Sequence, residues 1–278
     1  DMSLEIHGVD ESLGERLGGR CRDWIVKMES AFSLYRNDSE LSRLNRERVL
    51  EKPSRLFLEM VEQATQLEGR TAGYFQPAIH GAWQWLVERN FSDTTAADKQ
   101  WLNLCAAAKP CHLIRGADGS LRLDHPLTQW TFNAIAQGEL ADRVAGELRA
   151  AGVKSALLHL GETYAIGQHP SGRNWRLAVR GTGKEPSLVG EMELADAGLA
   201  VSANEPGRLL IDPVARALRC QQRVAAVVSS EGAAVADAFA TALAIAPEEK
   251  LAALSRNLLT RSSGRIKVWQ QNRLIHEA

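Results

Sequence analysis

Residues 223–246 read RVAAVVSSEGAAVADAFATALAIA. The first eight, β-branched and small apolar, predict a strand. It runs through Ser230 into an Ala-rich segment that is apolar at most helical angles, the mark of a helix buried on most of its surface. Upstream lie further strand-like runs: SALLHLG (155–161), TYAIG (163–167), NWRLAVR (174–180), GEMELA (190–195), GLAVSA (198–203) and RLLIDP (208–213), separated by Gly, Asp and Pro. Downstream, residues 248–255 predict a helix and IKVWQ (266–270) a last strand. Strand runs beside packed helices imply an α+β fold, a mixed α/β sandwich with antiparallel sheet in the second half.

The first half is more helical. MSLEIHG alternates like a strand; Leu13, Leu17, Cys21, Trp24, Ile25, Met28 and Phe32 then recur at three and four residues, as on an amphipathic helix. FSLYRNDSELSRLN (32–45) reads as polar and turn-like. A helix is expected after Pro53, with Leu56, Phe57, Met60, Val61, Ala64 and Leu67 on one face. HLIRGADGSLRLD (112–124) predicts a hairpin, and Ile135, Leu140, Val144 and Leu148 a helix ended by Gly152. Residues 92–109 read as a polar helical insertion. The expected organisation is one domain over 1–278, with a smaller helical lobe around 84–112.

With 33 Lys+Arg against 34 Asp+Glu and a net charge of −1, no electrostatic case exists for nucleic acid or an anionic membrane as partner. No apolar run would span a bilayer, so any membrane association would be peripheral. No G-x-G-x-x-G follows a strand, and the phosphate-loop, zinc-protease and serine-elbow motifs are missing; GTGK at 181–184 is a fragment. Cys21, Cys105, Cys111 and Cys220 contain no C-x-x-C; Cys105 and Cys111 are placed either to bridge or to stay separate thiols. The sequence opens on Asp1, as expected of a processed or trimmed chain without its export signal.

Asp237 stands in the middle of the apolar helix. A buried carboxylate is costly unless it is paired, hydrogen-bonded or bound to a cation. Thr241 follows four residues later on the same face. Two readings satisfy Asp237. A buried arginine pairs with it while Thr241 bonds back to the helix, or the carboxylate and hydroxyl serve as hard oxygen ligands for Mg²⁺.

Six segments, in order, resemble the ApbE family of FAD:protein FMN transferases. FSLYRNDSELSRLN is similar to its S-x-Y/F-x-x-x-S-E-L-S-R-L-N stretch, and TAGYFQPAIHGAW (71–83) to its D-G-x-F-D-P-T loop. TFNAIAQGELADRVAGELRAAGV (131–153) resembles D-L-G-G-I-A-K-G-Y-A-V-D. LLHLGETYAIGQHPSGRNWRLAV (157–179) resembles N-x-G-G-D-x-x-x-x-G-x-x-x-x-G-x-x-W. LLIDP (209–213) resembles H-I-I-D-P, and VADAFATAL (235–243) resembles A-D-A-L-A-T-A-L. Asn133, Gln137 and Gly161-Glu162 look most like the NosX-type branch, associated with nitrous oxide reduction.

The resemblance implies a T-fold-related architecture and transfer of FMN from FAD to a Ser or Thr of a target flavoprotein, with AMP released. It implies Mg²⁺ at the pyrophosphate and a periplasmic location. By the same resemblance Asp237 and Thr241 match metal ligands, with Ala134 and Ala240 as backbone ligands. Tyr35 matches the ring that stacks on the flavin nucleotide. Tyr74, Phe75, Gln76, Thr131, Gln137 and Ile211 match FAD contacts.

The chain departs from the pattern where the family has an acid (Gln76), an Asp (Thr131), a Lys (Gln137) and a His (Leu209). The T-S-G segment survives only as Val201-Ser202-Ala203, and D-P-x-T-G as Asp212-Pro213-Val214-Ala215-Arg216. Leucine cannot take a proton from an attacking hydroxyl as imidazole can. Losing two acids should also weaken the hold on Mg²⁺. Near the family blocks lie His80, His159 and His169; His159 alternates as a structural strand residue. A transferase, a flavin-binding or maturation protein without turnover, and an FAD pyrophosphate hydrolase therefore stand as alternatives.

Overall fold

The computed structural model describes residues 2–89, 98–108, 113–183, 185–205, 209–219 and 221–278. Residues 92–97 and 109 of the expected helical insertion, and Lys184 of the GTGK run, lie outside the described residues, as do Cys111 and Cys220, and with them the Cys105–Cys111 question.

In chain order the elements are β1 (Ser3–His7), α1 (Glu11–Phe32), α2 (Glu40–Glu47), β2 (Val49–Leu50), α3 (Arg55–Arg70), α4 (His80–Glu88), α5 (Lys99–Ala107), β3 (Leu113–Arg115) and β4 (Leu121–Leu123). There follow α6 (Ala136–Ala150), β5 (Ser155–Leu160), β6 (Glu162–Ile166), β7 (Trp175–Arg180), β8 (Leu188–Leu194), β9 (Ala197–Asn204), β10 (Ile211–Asp212) and β11 (Ala217–Leu218). The chain ends with β12 (Arg223–Ser229), α7 (Ala233–Ile245), α8 (Glu248–Leu259), β13 (Gly264–Gln270) and β14 (Arg273–Glu277). They form two compact units: Asp1–Val26 with Asn133–Arg208 and Cys220–Ala278, and Lys27–Phe132 with Leu209–Arg219.

The first unit is built on a seven-stranded sheet in the order β1-β5-β6-β9-β12-β13-β14. Every pairing in it is antiparallel. Its interior strand β12 is buried at every position, which is why RVAAVVS reads as an unbroken apolar run and does not alternate. Val224, Ala226 and Val228 pack with Trp175, Val179, Met192 and Leu194 of the β7–β8 hairpin on one face. The other face carries α7. There Gly198 and Gly138 let backbone meet backbone. A methyl at Gly198 would stand 2.5 Å from the Gly232 carbonyl carbon, and one at Gly138 would stand 2.5 Å from that of Ala233.

The ends of α7 are neutralised from within the unit. Asp142 of α6 accepts the N–H groups of Ala233 (2.7 Å) and Ala234 (3.0 Å). At the other end the buried Arg223 guanidinium donates to the carbonyls of Leu243 and Ala246. Both charges complement the helix dipole.

In the second unit Phe32, Phe57, Phe132 and Trp130 form an aromatic nest. Ala82, Trp85, Leu86, Trp101, Cys105 and Ile211 form another core, and Trp101 Nε1 donates to the Arg216 carbonyl at 2.8 Å. The small sheet β2-β4-β3 completes this unit.

Three local expectations change. Residues 40–47, read as a turn, form α2: Ser39 caps it by accepting from Ser42 N–H, and Leu41 and Leu44 are fully buried. Pro53 precedes the N-cap Ser54 of α3 and so lies outside the first helical turn. The chain does not close on β13, because β14 pairs back on it. The N-terminal strand joins the main sheet through Ser3–His7 against Ser155–His159.

Candidate active site

In the first unit α7 lies along β9, with Gly198 beside its start and Ser202 beside its later turns: Ser202 Oγ and Thr241 Oγ1 are 3.2 Å apart. Asp237 sits one turn before Thr241, 5% exposed. Among the described residues it has no arginine or lysine partner and no hydrogen bond. The arginine pairing allowed by the sequence is therefore not what the fold provides. Burial pushes the Asp237 carboxyl well above the usual carboxylate range.

A second carboxylate stands nearby. Glu162 opens β6, immediately after Gly161, and accepts a backbone N–H from Val201. Burial first, and then the charge of Asp237, raise the Glu162 pKa. Gly161 has φ +100°, and a methyl there would come within 2.7 Å of Gln137 Nε2. The Gln137 side chain thus lies directly against this glycine, which positions α6 next to the start of β6.

Gln137 and Ala134 stand at the start of α6, whose N-cap position, Ile135, has no side-chain capping bond. The contrast with α7 is informative. The positive end of α7 is occupied by Asp142, whose pKa burial pushes up to about 7 while the two helix N–H groups pull the other way. Among the described residues no side chain caps Ile135 at the start of α6, and the acid in its first turn, Glu139, pairs with Arg143; an uncapped helix N-terminus binds phosphate oxygens. Asp237, Thr241, Ser202, Glu162, Ala134 and Gln137 therefore combine acids and hydroxyls for a hard cation with N–H donors for an anion. Among the described residues no three His, Cys, Asp or Glu side chains form a metal cage. A cation here would draw some of its oxygen ligands from a bound phosphate, backbone carbonyls such as those of Ala134 and Ala240, or water.

The second unit gathers other expected residues. Asn45, last residue of the SELSRLN stretch, exchanges two hydrogen bonds with the Trp130 backbone (2.8 and 2.7 Å). The adjoining Thr131 N–H donates to the Pro77 carbonyl at 2.7 Å. Three separate sequence blocks are thereby tied together. Tyr74, Phe75 and Gln76 are buried in this loop, and Gln76 donates to Glu68 (2.8 Å) and accepts from Ala78 N–H (3.1 Å). Tyr35 is 92% exposed, a ring presented to solvent. Ile211 packs among Ala82, Trp85 and Trp101. The neighbouring Asp212 accepts from Val214 and Ala215 N–H and pairs with Arg219 at 2.6 Å, so its place in LLIDP is structural.

The three histidines near the family blocks each have local partners. His159 bonds Thr163 on the sheet at 2.9 Å, and His169 bonds Ser171. His80 is buried, stacked on Trp83, and burial drives its pKa to about 4. Glu162, Ser202 and Asp142 were not assigned roles from sequence. The detectable signal was strand alternation: Glu162 and Ser202 lie on the same side of the sheet as Gly198, which touches α7.

The model of the ApbE family matches residues 2–263. The chain is 28% identical over 272 residues to an FAD:protein FMN transferase of Rhodobacter capsulatus, a match covering 89% of this chain and 50% of that protein. It therefore spans half the length of that relative. It is 26% identical over 242 residues to an FAD:protein FMN transferase of Vibrio cholerae, covering 81% of this chain and 72% of the relative. The structure of the flavin transferase ApbE from Vibrio cholerae superposes with a TM-score of 0.80 at 21% identity, covering 100% of this chain and 92% of that one. At that identity it speaks for the fold, and the family match speaks for descent: the chain belongs to the ApbE family.

Proposed function

We propose that the protein is a Mg²⁺-dependent FAD:protein FMN transferase that works in the periplasm and attaches FMN to a Ser or Thr of a flavoprotein. The observation that carries this reading is Asp237: a carboxylate 5% exposed, without a cationic side chain paired to it among the described residues, one turn from the Thr241 hydroxyl. Its cost is offset if a cation binds there. Asp237 and Thr241 would hold Mg²⁺ with the backbone carbonyls of Ala134 and Ala240. When bound, that ion neutralises charge on the diphosphate and orients it.

The protein's own contributions follow. The open N-terminus of α6 receives phosphate oxygens, and Gln137 donates or accepts at the same end. The family resemblance assigns the flavin-nucleotide contacts to Tyr35, Tyr74, Phe75, Gln76, Thr131 and Ile211. The acceptor hydroxyl oxygen bonds to the FMN phosphorus as the bridging P–O bond to AMP breaks, and the hydroxyl proton passes to solvent.

Both relatives are FAD:protein FMN transferases, and with the family match they support transfer. Leu209 supports a second reading, a flavin-binding or maturation protein without turnover, because it offers no base. The test is incubation with FAD, Mg²⁺ and an acceptor domain bearing the Ser/Thr motif, followed by in-gel flavin fluorescence. A fluorescent adduct that falls at least ~100-fold with Asp237→Asn is expected. FAD that binds and is neither transferred nor cleaved would establish the second reading; FAD split to FMN and AMP without an adduct would mark a hydrolase.

A further inference from the structure

The register of the main sheet aims a second acid at the cation site. Thr163 pairs with Leu199 and Tyr164 with Gly198, so Glu162 stands opposite Ala200. Side chains on one strand alternate between faces, and directly paired residues share a face. Gly198, Ala200, Ser202 and Glu162 therefore all lie on the α7 side. Two contacts fix that side independently: Gly198 abuts the Gly232–Ala233 backbone, and Ser202 bonds Thr241. Asp237 lies between Ala233 and Thr241 on the helix, level with the middle of this stretch.

Other acids near α7 are already engaged. Asp142 is held by Ala233 and Ala234 N–H, and Glu139 pairs with Arg143 at 2.6 Å. Glu162 has one N–H donor, from Val201, and no cation among the described residues; Asp237 has neither. Asp237 is buried and Glu162 half-buried; when both are ionised they repel each other, and a divalent cation between them removes that repulsion.

We propose that Glu162 is the second acidic ligand of the cation site, so that the protein binds its divalent ion before FAD arrives. This rests on the reading of Asp237 as a metal ligand. Acid is absent at positions 76 and 131, and Glu162 supplies charge from the sheet.

The test uses the FAD-free full chain and Mn²⁺ alone, followed by electron paramagnetic resonance of the free ion and by thermal melts. Wild type is expected to bind Mn²⁺ and to gain melting temperature with it. Glu162→Gln is expected to weaken binding roughly 10- to 100-fold. Its metal-free melting temperature should stay close to that of wild type, so that the lost binding is not lost folding. A purely structural glutamate would instead lower the metal-free melting temperature and leave Mn²⁺ affinity unchanged. Mn²⁺ affinity within twofold of wild type in Glu162→Gln overturns the proposal, as does a wild-type protein that ignores millimolar Mn²⁺. The transfer assay separates the two claims. If Asp237→Asn abolishes Mn²⁺ binding and transfer while Glu162→Gln changes neither, only the role of Glu162 falls. Mn²⁺ binding lost in Glu162→Gln, with no flavin transfer by any variant, keeps the site and removes the transferase.

Discussion

Replacing Gly138 by alanine tests whether the α6–α7 contact sets the site. A methyl at Gly138 would lie 2.5 Å from the Ala233 carbonyl carbon and 2.6 Å from its oxygen, where ordinary contact begins at 3.4 Å. The difference, 3.4 minus 2.5, requires the helices to part by about 1 Å. Both obstructing atoms are backbone, and Asp142 holds the Ala233 N–H, so neither side yields readily. Overpacking of this kind costs about 3 kcal/mol, against about 1 kcal/mol gained from the better helix former, a net loss of about 2 kcal/mol. Gly146 is the control. It lies in the same helix, is exposed, and a methyl there meets nothing within 4 Å. Gly146→Ala should stabilise by about 0.5–1 kcal/mol. The two variants should differ by roughly 3 kcal/mol, or about 6–10 °C in melting temperature. Gly138→Ala should also lose FAD affinity, because the first turn of α6 moves relative to Asp237 and Thr241. Equal melting temperatures for the two variants would refute the close contact, and with it the claim that α7 positions α6.

Three further outcomes are expected. His80 has a folded pKa of about 4 against 6.5 unfolded, so the unfolded chain takes up the proton first. Stability present above pH 6.5 is lost as pH falls toward 4, by about 3 kcal/mol in total. Urea midpoints measured across that range should flatten in His80→Phe, and an unchanged slope would dismiss the histidine as the cause. Asp142→Ala leaves the Ala233 and Ala234 N–H groups unpaired and should cost about 2 kcal/mol in denaturant unfolding; a loss within 0.5 kcal/mol of wild type would show that water caps the helix equally well. Thr241→Val keeps the shape and removes the hydroxyl, so Mn²⁺ affinity should drop while the melting temperature of the metal-free protein changes little. Unaltered Mn²⁺ binding would exclude the hydroxyl as a ligand.

Much of this architecture was legible because local signals and tertiary packing agree. The Ala-rich helix reads as buried and is buried; the strand runs from Ser155 to Ser229 appear as β5 to β9 and β12, except RLLIDP, of which only Ile211–Asp212 is strand, as β10. The segment at 40–47 was misread for a physical reason. It is eight residues long, with only Leu41 and Leu44 apolar, so its periodicity is almost silent. Its helix depends on the Ser39 cap and on two leucines inserted into a core assembled from distant sequence. The hydrogen bonds of Asn45 to Trp130 are likewise invisible to any local pattern, although both residues lie in or beside recognisable blocks.

The site was half legible for a related reason. Asp237 announces itself because a helix displays its neighbours in sequence, and a charge among alanines has nowhere inexpensive to go. Glu162 gives no such signal. It sits at a strand end after Gly161, where acids are ordinary, and its meaning depends on the register that places it opposite Ala200. A one-residue slip would turn Glu162 to the hairpin face with Trp175 and Met192 and would drive Ser202 away from Thr241. That register is held by the β6–β9 pairing, in which Ala165, Ala197 and Leu199 lie in the core with the β7–β8 hairpin and cannot change sides without leaving it. The charge at the site is thus fixed by residues that never touch a ligand. Substitutions that loosen β6 against β9 should therefore weaken cation binding before they unfold the protein.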